Sequence, residues 1–350
     1  MVRSFKSYED IQNHDFDTVI DVRSPAEFEE DHIPGAINLP SLSNKERAEV
    51  GTIYKQISPF KARKVGASLV LQNVARHLSG PLHAYDGGWR PLIYCWRGGQ
   101  RSGVFSTLLK EIGWRAETIA GGYQTYRRIV QNLLYEEPLQ HRFILLDGYT
   151  GTAKTAVLGS LAKRGVQVID LEGLAGHRGS LLGEMPDGQP SQRMFETRLA
   201  AALNSLDPTR PTLLEAESSK IGRLNMPPSV WAQMIAAPRI RIDVPLEARV
   251  AFITDTYREI LADPNTVTTR LSPLRRLRGH ATVDHWHALQ TQGDLAGLAQ
   301  ALITDHYDPA YARAQKKRVA NFVASVGTQT LDTYGLEEMA DQLVEVINGQ

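Results

Sequence analysis

The sequence predicts an α/β protein made of two parallel-sheet domains in series, the second built on a phosphate loop and ending in a helical part. Three observations predict this. Short apolar runs alternate with helix-like stretches, as parallel βα units do. Two of those runs open into glycine-containing loops that are followed by helical segments, Leu92–Tyr94 and Phe143–Asp147. The chain has 350 residues, a length that suggests about two domains.

Thr18–Val22 reads as a buried strand, and Ser24-Pro25 with Glu27 as a helix start, Ser24 being the N-cap and Pro25 lying in the first turn. Asn44–Gln56 and Ala62–His77 read as helices, Leu92–Tyr94 as a strand, Gly103–Ile112 as a helix and Ala116–Ile119 as a strand closed by Gly121-Gly122. Tyr123–Tyr135 is an amphipathic helix that completes the first domain. Glu136-Glu137-Pro138 marks the boundary, which gives domains of 1–136 and 139–350. Beyond it, Phe143–Asp147, Val166–Asp170, Thr212–Ala216 and Arg239–Val244 read as strands, and a helix runs to Arg164. Asp263–Gly279, rich in arginine and broken by prolines, reads as a loop or lid; Ala281–Gly293 and Leu336–Ile347 read as helices.

Composition narrows the function. Formal net charge is zero, so any nucleic-acid contact must come from local basic patches. The single cysteine excludes an intramolecular disulfide and a cysteine-rich zinc site. The start lacks an apolar signal core and no long apolar run is present, so no membrane partner is expected and the cytoplasm is the expected compartment.

That cysteine, Cys95, is the expected catalytic residue. It follows a strand and opens the loop Trp96-Arg97-Gly98-Gly99-Gln100-Arg101-Ser102. Backbone N–H groups and a helix N-terminus aimed at the sulfur favour an anion there, and Arg97 and Arg101 add positive charge. The second loop, Gly148-Tyr149-Thr150-Gly151-Thr152-Ala153-Lys154-Thr155, has the spacing of a nucleotide-binding P-loop, with Ala153 where glycine is usual. Ala153 lies where the helix begins, so ordinary helical angles are expected to accommodate it. Lys154 is expected to reach terminal phosphates. Thr155, with Glu215 at a following strand end, is the candidate Mg²⁺ pair, though no metal site is certain. Glu217 and Lys220 read as surface charges.

Asp21-Val22-Arg23-Ser24-Pro25-Ala26-Glu27-Phe28 and His32-Ile33-Pro34-Gly35-Ala36-Ile37-Asn38 resemble the opening signature of the rhodanese fold. With Cys95, the resemblance implies a rhodanese-like N-terminal domain followed by a P-loop NTPase-like domain. Here Arg101 follows Cys95 after five residues rather than four, as in phosphatases of related fold. The longer loop is expected to admit a phosphate-bearing chalcogen donor such as selenophosphate.

The pairing of these two domains is similar to the tRNA 2-selenouridine synthase family. So are the stretches Tyr94–Ser102, Asp170–Ser180, Gln189-Pro190-Ser191-Gln192 with Phe195-Glu196, and Glu215–Arg223. The resemblance implies a transferase acting on wobble 2-thiouridine in the tRNA anticodon stem-loop. It implies S-geranylation from geranyl diphosphate, then selenium insertion from selenophosphate, both as co-substrates. The small-molecule diphosphate is expected at Gly148–Thr155, with His177, Arg178 and Ser180 beside the phosphates or the base. For tRNA the candidates are Arg275, Arg276 and Arg278 with neighbouring Arg270 and His280, and Lys316 and Lys317 with Arg313 and Arg318. Trp286, Tyr307 and Tyr311 are candidates for base stacking. Two other readings stay open at this point: a nucleotide-switched persulfide carrier, and a Cys-x5-Arg phosphohydrolase.

Overall fold

A computed structural model describes residues 1–316 and 321–349. They form two compact units, Met1–Pro138 with Pro190–Asn204, and Leu139–Gln189 with the chain from Ser205 onward. No helix among the described residues is long and apolar enough to cross a membrane.

The first unit contains β1 (Val2–Arg3), α1 (Tyr8–Gln12), β2 (Thr18–Asp21), α2 (Pro25–Glu30), β3 (Ile37–Asn38), α3 (Asn44–Gln56), α4 (Pro59–Ser79), β4 (Pro91–Tyr94), α5 (Gln100–Ile112), β5 (Glu117–Ile119) and α6 (Tyr123–Gln131). Its sheet is parallel throughout, in the order β1-β5-β4-β2-β3. All four residues of β4 are buried, which is why that strand reads as a continuous apolar run. Ile20, Ile93, Phe105 and Leu109 form the core immediately behind Cys95.

Ser24 caps α2 through a capping box with Glu27, and Pro25 sits in its first turn, as the sequence implies. Helix α5 starts three residues earlier than expected, so Gln100, Arg101 and Ser102 are helical and only Cys95 to Gly99 remain as loop. After α6 the chain continues as a π-helical turn, Asn132–Glu136.

The second unit contains β6 (Arg142–Asp147), α7 (Lys154–Lys163), β7 (Gln167–Ile169) and α8 (Leu171–Ala175). The chain then gives α9 (Gln192–Asn204) to the first unit, which corrects the uninterrupted 139–350 division. The reason is a buried polar set: Tyr126 donates to Thr197 Oγ1 at 3.1 Å, and the Arg127 guanidinium pairs with the Glu196 carboxylate. These residues carry no signal at the level of local pattern.

The second unit resumes with β8 (Pro211–Glu215), the antiparallel pair β9 (Lys220–Ile221) and β10 (Leu224–Asn225), α10 (Pro228–Ala236) and β11 (Arg239–Asp243). The helical part follows: α11 (Leu246–Thr256), α12 (Arg258–Ala262), α13 (Pro264–Leu271), α14 (Arg275–Arg278), α15 (His280–Thr291), α16 (Leu295–Leu302) and α17 (Asp308–Lys316). Last come β12 (Phe322–Gly327) and α18 (Thr333–Asn348). The main sheet is parallel, in the order β12-β11-β6-β8-β7, with β6 at its centre.

Asp263–Gly279 is helical, not a loop or lid. Asp263 caps α13, Pro264 occupies its first turn, and Pro273 falls in a 3₁₀ turn leading to α14. Prolines taken as breakers are helix starters here. Val267 and Leu271 from α13 pack with Trp286, Val283 and Leu298 into a separate core under the helical part.

Candidate functional site

Cys95 stands at the C-terminal end of β4, buried, at the base of an open cleft of about 790 Å³. Its Sγ accepts from the Gly99 N–H at 3.3 Å and lies 3.2 Å from Ser102 Oγ. One N–H and one hydroxyl at the start of α5 therefore reach the sulfur, rather than a succession of loop amides. The loop is held from behind: Tyr123 N–H donates to Cys95 O at 2.9 Å and Gln124 N–H to Trp96 O at 3.1 Å. This approach needs glycine, since a Cβ on Gly122 would stand 2.2 Å from Cys95 O and one on Gly98 would stand 2.7 Å from Ile119 O.

Arg97, Gly99, Gln100 and Arg101 line the cleft with Cys95. Arg101 does not point its charge at the sulfur unopposed: its Nη1 donates to Glu27 Oε2 at 3.0 Å. Burial alone would raise the Glu27 carboxyl, but the Arg101 and Ser24 hydrogen bonds outweigh it and hold the group below its ordinary value. Of the two expected arginines, Arg101 is thus neutralised by a residue the sequence marks only as part of a helix start. Arg47 and Tyr54, from α3, complete the wall and were not anticipated.

In the second unit, β6 delivers the phosphate loop to α7. Gly151 has φ +85°, and a Cβ there would press on Ile253 Cδ1 at 2.7 Å. Ala153 is the one non-glycine residue with positive φ among the described residues, at φ 55° and ψ 31°. The expectation of ordinary helical angles is therefore wrong. The position before Lys154 is the left-handed N-cap of α7, where glycine costs least and alanine carries strain. Lys154 Nζ folds back to the carbonyls of Gly148 at 3.0 Å and Tyr149 at 3.3 Å. Arg249 secures the loop from outside, donating to Thr150 O at 2.9 Å while its other nitrogens pair with Asp308.

A cavity of about 520 Å³ opens beside residues 150–156. Glu172, Glu217, Arg178 and Ser180 give it polar groups, and Leu181, Met185, Phe252, Ile253, Tyr257 and Tyr307 form a wall of mainly hydrocarbon character. Gly148 and Tyr149 form the root of the loop and do not line it. The Glu172 and Glu217 carboxylates converge over Gly179, at 3.0 and 2.9 Å from where its Cβ would lie. Thr155 Oγ1 donates to Glu172 Oε2 at 3.0 Å.

Glu215 is not the carboxylate facing Thr155. It is fully buried and accepts from Leu171 N–H at 3.1 Å, and its Oε1 has no hydrogen-bond partner among the described residues. Burial, then the nearby Asp170 and Glu172 charges, push its carboxyl up to about 8. Burial and the Glu217 charge push Glu172 up to about 7. The structure does not bring Thr155 and Glu215 together; Thr155 meets Glu172 instead, with Glu217 beside it. Glu217, taken from sequence as a surface charge, belongs to the cavity. This all-oxygen set suits a hard cation, but two carboxylates would need phosphate oxygens and water to complete an octahedron.

Two family profiles match the chain. The tRNA 2-selenouridine synthase AAA domain covers residues 141–271, and the rhodanese-like domain covers 4–128. The tRNA 2-selenouridine synthase of Hahella chejuensis is 34% identical over 336 residues, 86% of this chain and 86% of that protein. That of Pseudomonas syringae pv. syringae is 30% identical over 93% of this chain and 95% of its own length. The chain belongs to the tRNA 2-selenouridine synthase family.

The stretch Asp170–Ser180 that resembles this selenouridine synthase family caps α8 and bends along the cavity. Within it, Arg178 and Ser180 line the cavity, and the Arg178 guanidinium sits 5.0 Å from the Tyr257 ring centroid. His177 turns inward: it is buried, its Nδ1 accepts from Gly179 N–H at 3.1 Å, and burial lowers its pKa. It shapes the turn and lines neither the cavity nor the phosphate loop.

The expected tRNA surface is only partly a free basic face. Arg275 pairs with Asp284 at 2.5 Å, Arg270 pairs with Glu184, and Arg278 donates to the His306 carbonyl at 2.8 Å. Arg276 is exposed, as is His280. Trp286 is fully buried, with its Nε1 donating to Asp305 at 3.1 Å, so it stacks on no base. Tyr311 donates to Asp147 at 2.6 Å, and Tyr307 belongs to the cavity wall. Lys317, Arg318 and the side chain of Lys316 lie outside the described residues.

Proposed function

We propose that this protein converts wobble 2-thiouridine in tRNA to 2-selenouridine in two steps, each served by one loop. The observation that carries the division is the composition of the phosphate-loop cavity. Residues 150–156 offer amides and Lys154 to a diphosphate, and Leu181, Met185, Phe252 and Ile253 offer hydrocarbon surface beside the polar Arg178, Ser180 and Glu217. A diphosphate with a hydrocarbon tail uses both the amides and the hydrocarbon surface of such a cavity. Geranyl diphosphate is the co-substrate this chemistry suggests.

In the first step the base sulfur bonds to C1 of the geranyl group, the C–O bond breaks, diphosphate leaves and the N3 proton of the base passes to solvent. Mg²⁺, if bound, would supply charge neutralisation on the diphosphate from Thr155, Glu172 and Glu217. Lys154 exchanges its carbonyl partners for phosphate oxygens. Alkylation turns sulfur into a good leaving group. In the second step selenium from selenophosphate forms a bond to C2, the C2–S bond breaks, and geranylthiolate departs and takes up a proton. Water cleaves the P–Se bond. Cys95 positions the selenium donor against C2, with Gly99 N–H and Ser102 Oγ favouring an anion at its sulfur. Arg97 and Arg101 serve the phosphate of the donor.

Nucleoside mass analysis of tRNA incubated with the protein tests this. Geranyl diphosphate alone should yield S-geranyl-2-thiouridine, and addition of selenophosphate should yield 2-selenouridine. Unmodified nucleosides together with phosphate-ester turnover, or with persulfide on Cys95, would replace the reading with a phosphohydrolase or a sulfur carrier.

A further inference from the structure

The Cys95 cleft does not end at its loop. Across Arg101 it adjoins a groove of about 680 Å³ between α5 and the α3–α4 hairpin. Arg47, Tyr54, Gln100 and Arg101 line both the cleft and the groove. Beyond them the groove is walled by Leu42, Val50, Ala67, Val70 and Val104, side chains with no polar atom. A selenophosphate site needs charge and N–H groups, and the cleft already holds them. Nothing in that ligand calls for an aliphatic channel running away from the sulfur, where exposed carbon gains by being covered.

We propose that this groove holds the prenyl chain of the S-prenylated base while C2 of the base faces Cys95. The proposal rests on the two-step reading, in which the substrate of the second step carries a ten-carbon hydrocarbon on its sulfur. The four shared residues, Arg47, Tyr54, Gln100 and Arg101, border both the site of selenium transfer and the groove, so an alkyl group on the reacting sulfur would pass along their hydrocarbon stems to reach the aliphatic wall. Arg47 and Arg63 bring positive charge to the same groove, matching the phosphates of an RNA strand. The protein then has two berths for one hydrocarbon. The phosphate-loop cavity takes it as part of the donor, and the groove in the first unit takes it as part of the leaving group.

The test uses the full chain and anticodon stem-loops bearing S-geranyl- or S-methyl-2-thiouridine, with geranyl thiolodiphosphate filling the phosphate-loop cavity. Anisotropy should give a Kd at least about tenfold lower for the S-geranyl RNA, since even a few covered methylenes are worth that much. Ala67→Trp, placed on an exposed turn of α4, fills the groove and should bring the ratio to about one. Val104→Glu, which puts a charge into the groove from α5, should do the same. Equal affinities in the unsubstituted protein, or a preference that survives both substitutions, would overturn the proposal. Failure to convert S-geranyl RNA with selenophosphate would instead overturn the two-step reading, whatever the binding ratio.

Discussion

The Cys95 loop and the phosphate loop both leave the C-terminal end of a parallel strand flanked on both sides, and both feed a helix. They differ in how their cations are occupied. Arg101 is tied to Glu27, an ion pair whose two side chains are 18% and 19% exposed. Lys154 hydrogen-bonds neutral oxygens of its own loop, the Gly148 and Tyr149 carbonyls and the Thr152 hydroxyl. An incoming phosphate takes Lys154 from weak partners, whereas a donor at Cys95 must compete with a carboxylate for Arg101. Under the two-step proposal, that difference suits the second loop to tight anion capture and the first to transient handling of an anion that is passed on.

The comparison breaks most visibly at the sulfur. Cys95→Ser should cut selenium insertion by roughly a hundredfold in a single-turnover assay, as misplacement of a reacting group does, while S-geranylation continues. Loss of both steps would mean the loops do not divide the chemistry. Lys154→Ala removes a charge-assisted contact and should raise the Kd for geranyl diphosphate by roughly tenfold to a hundredfold. Unchanged affinity in calorimetry would place the diphosphate elsewhere.

A smaller effect tests the carboxylates beneath the phosphate loop. Glu215 is held at about 8 against an ordinary 4.5, so the folded protein retains a proton the unfolded chain has lost. Its contribution to stability is full below about pH 4.5 and is lost as pH rises through about 8. Glu215→Gln should flatten the fall in melting temperature between pH 6 and 9. A slope identical to that of the unsubstituted protein would mean Glu215 ionises normally. The smallest effect concerns the turn itself. Ala153→Gly relieves a left-handed alanine and should stabilise by roughly 0.5–1 kcal/mol in denaturant unfolding, after the entropy glycine costs. Destabilisation would argue that the left-handed geometry is not retained.

Much of this was legible because the chemistry sits at strand ends, where apolar runs stop abruptly. β4 and β6 announce themselves that way, and Gly151 and Lys154 fall at motif spacing. What escaped depends on contacts between distant positions. Glu27 is a recognisable helix cap, but nothing local says that it meets Arg101. Glu172 and Glu215 are both acidic residues at βα junctions, and only packing decides that the first faces the cavity while the second is sealed beneath it. Ala153 was misjudged because its backbone angle is set by the loop around it. Trp286 resembles a base-stacking residue in sequence and is the centre of a core in the fold.

Helix α9 has a consequence for how this protein can be taken apart or recombined. The chain leaves the first unit after Pro138, returns for Pro190–Asn204, and leaves again. A fragment ending at residue 138 would leave Arg127 without Glu196 and Tyr126 without Thr197, in an interior built for both. The two modules are nested, not strung end to end. A chimaera that exchanges the front half between relatives must carry residues 190–204 with it, and inheritance of the two halves is coupled by fifteen residues that lie in the middle of the other module.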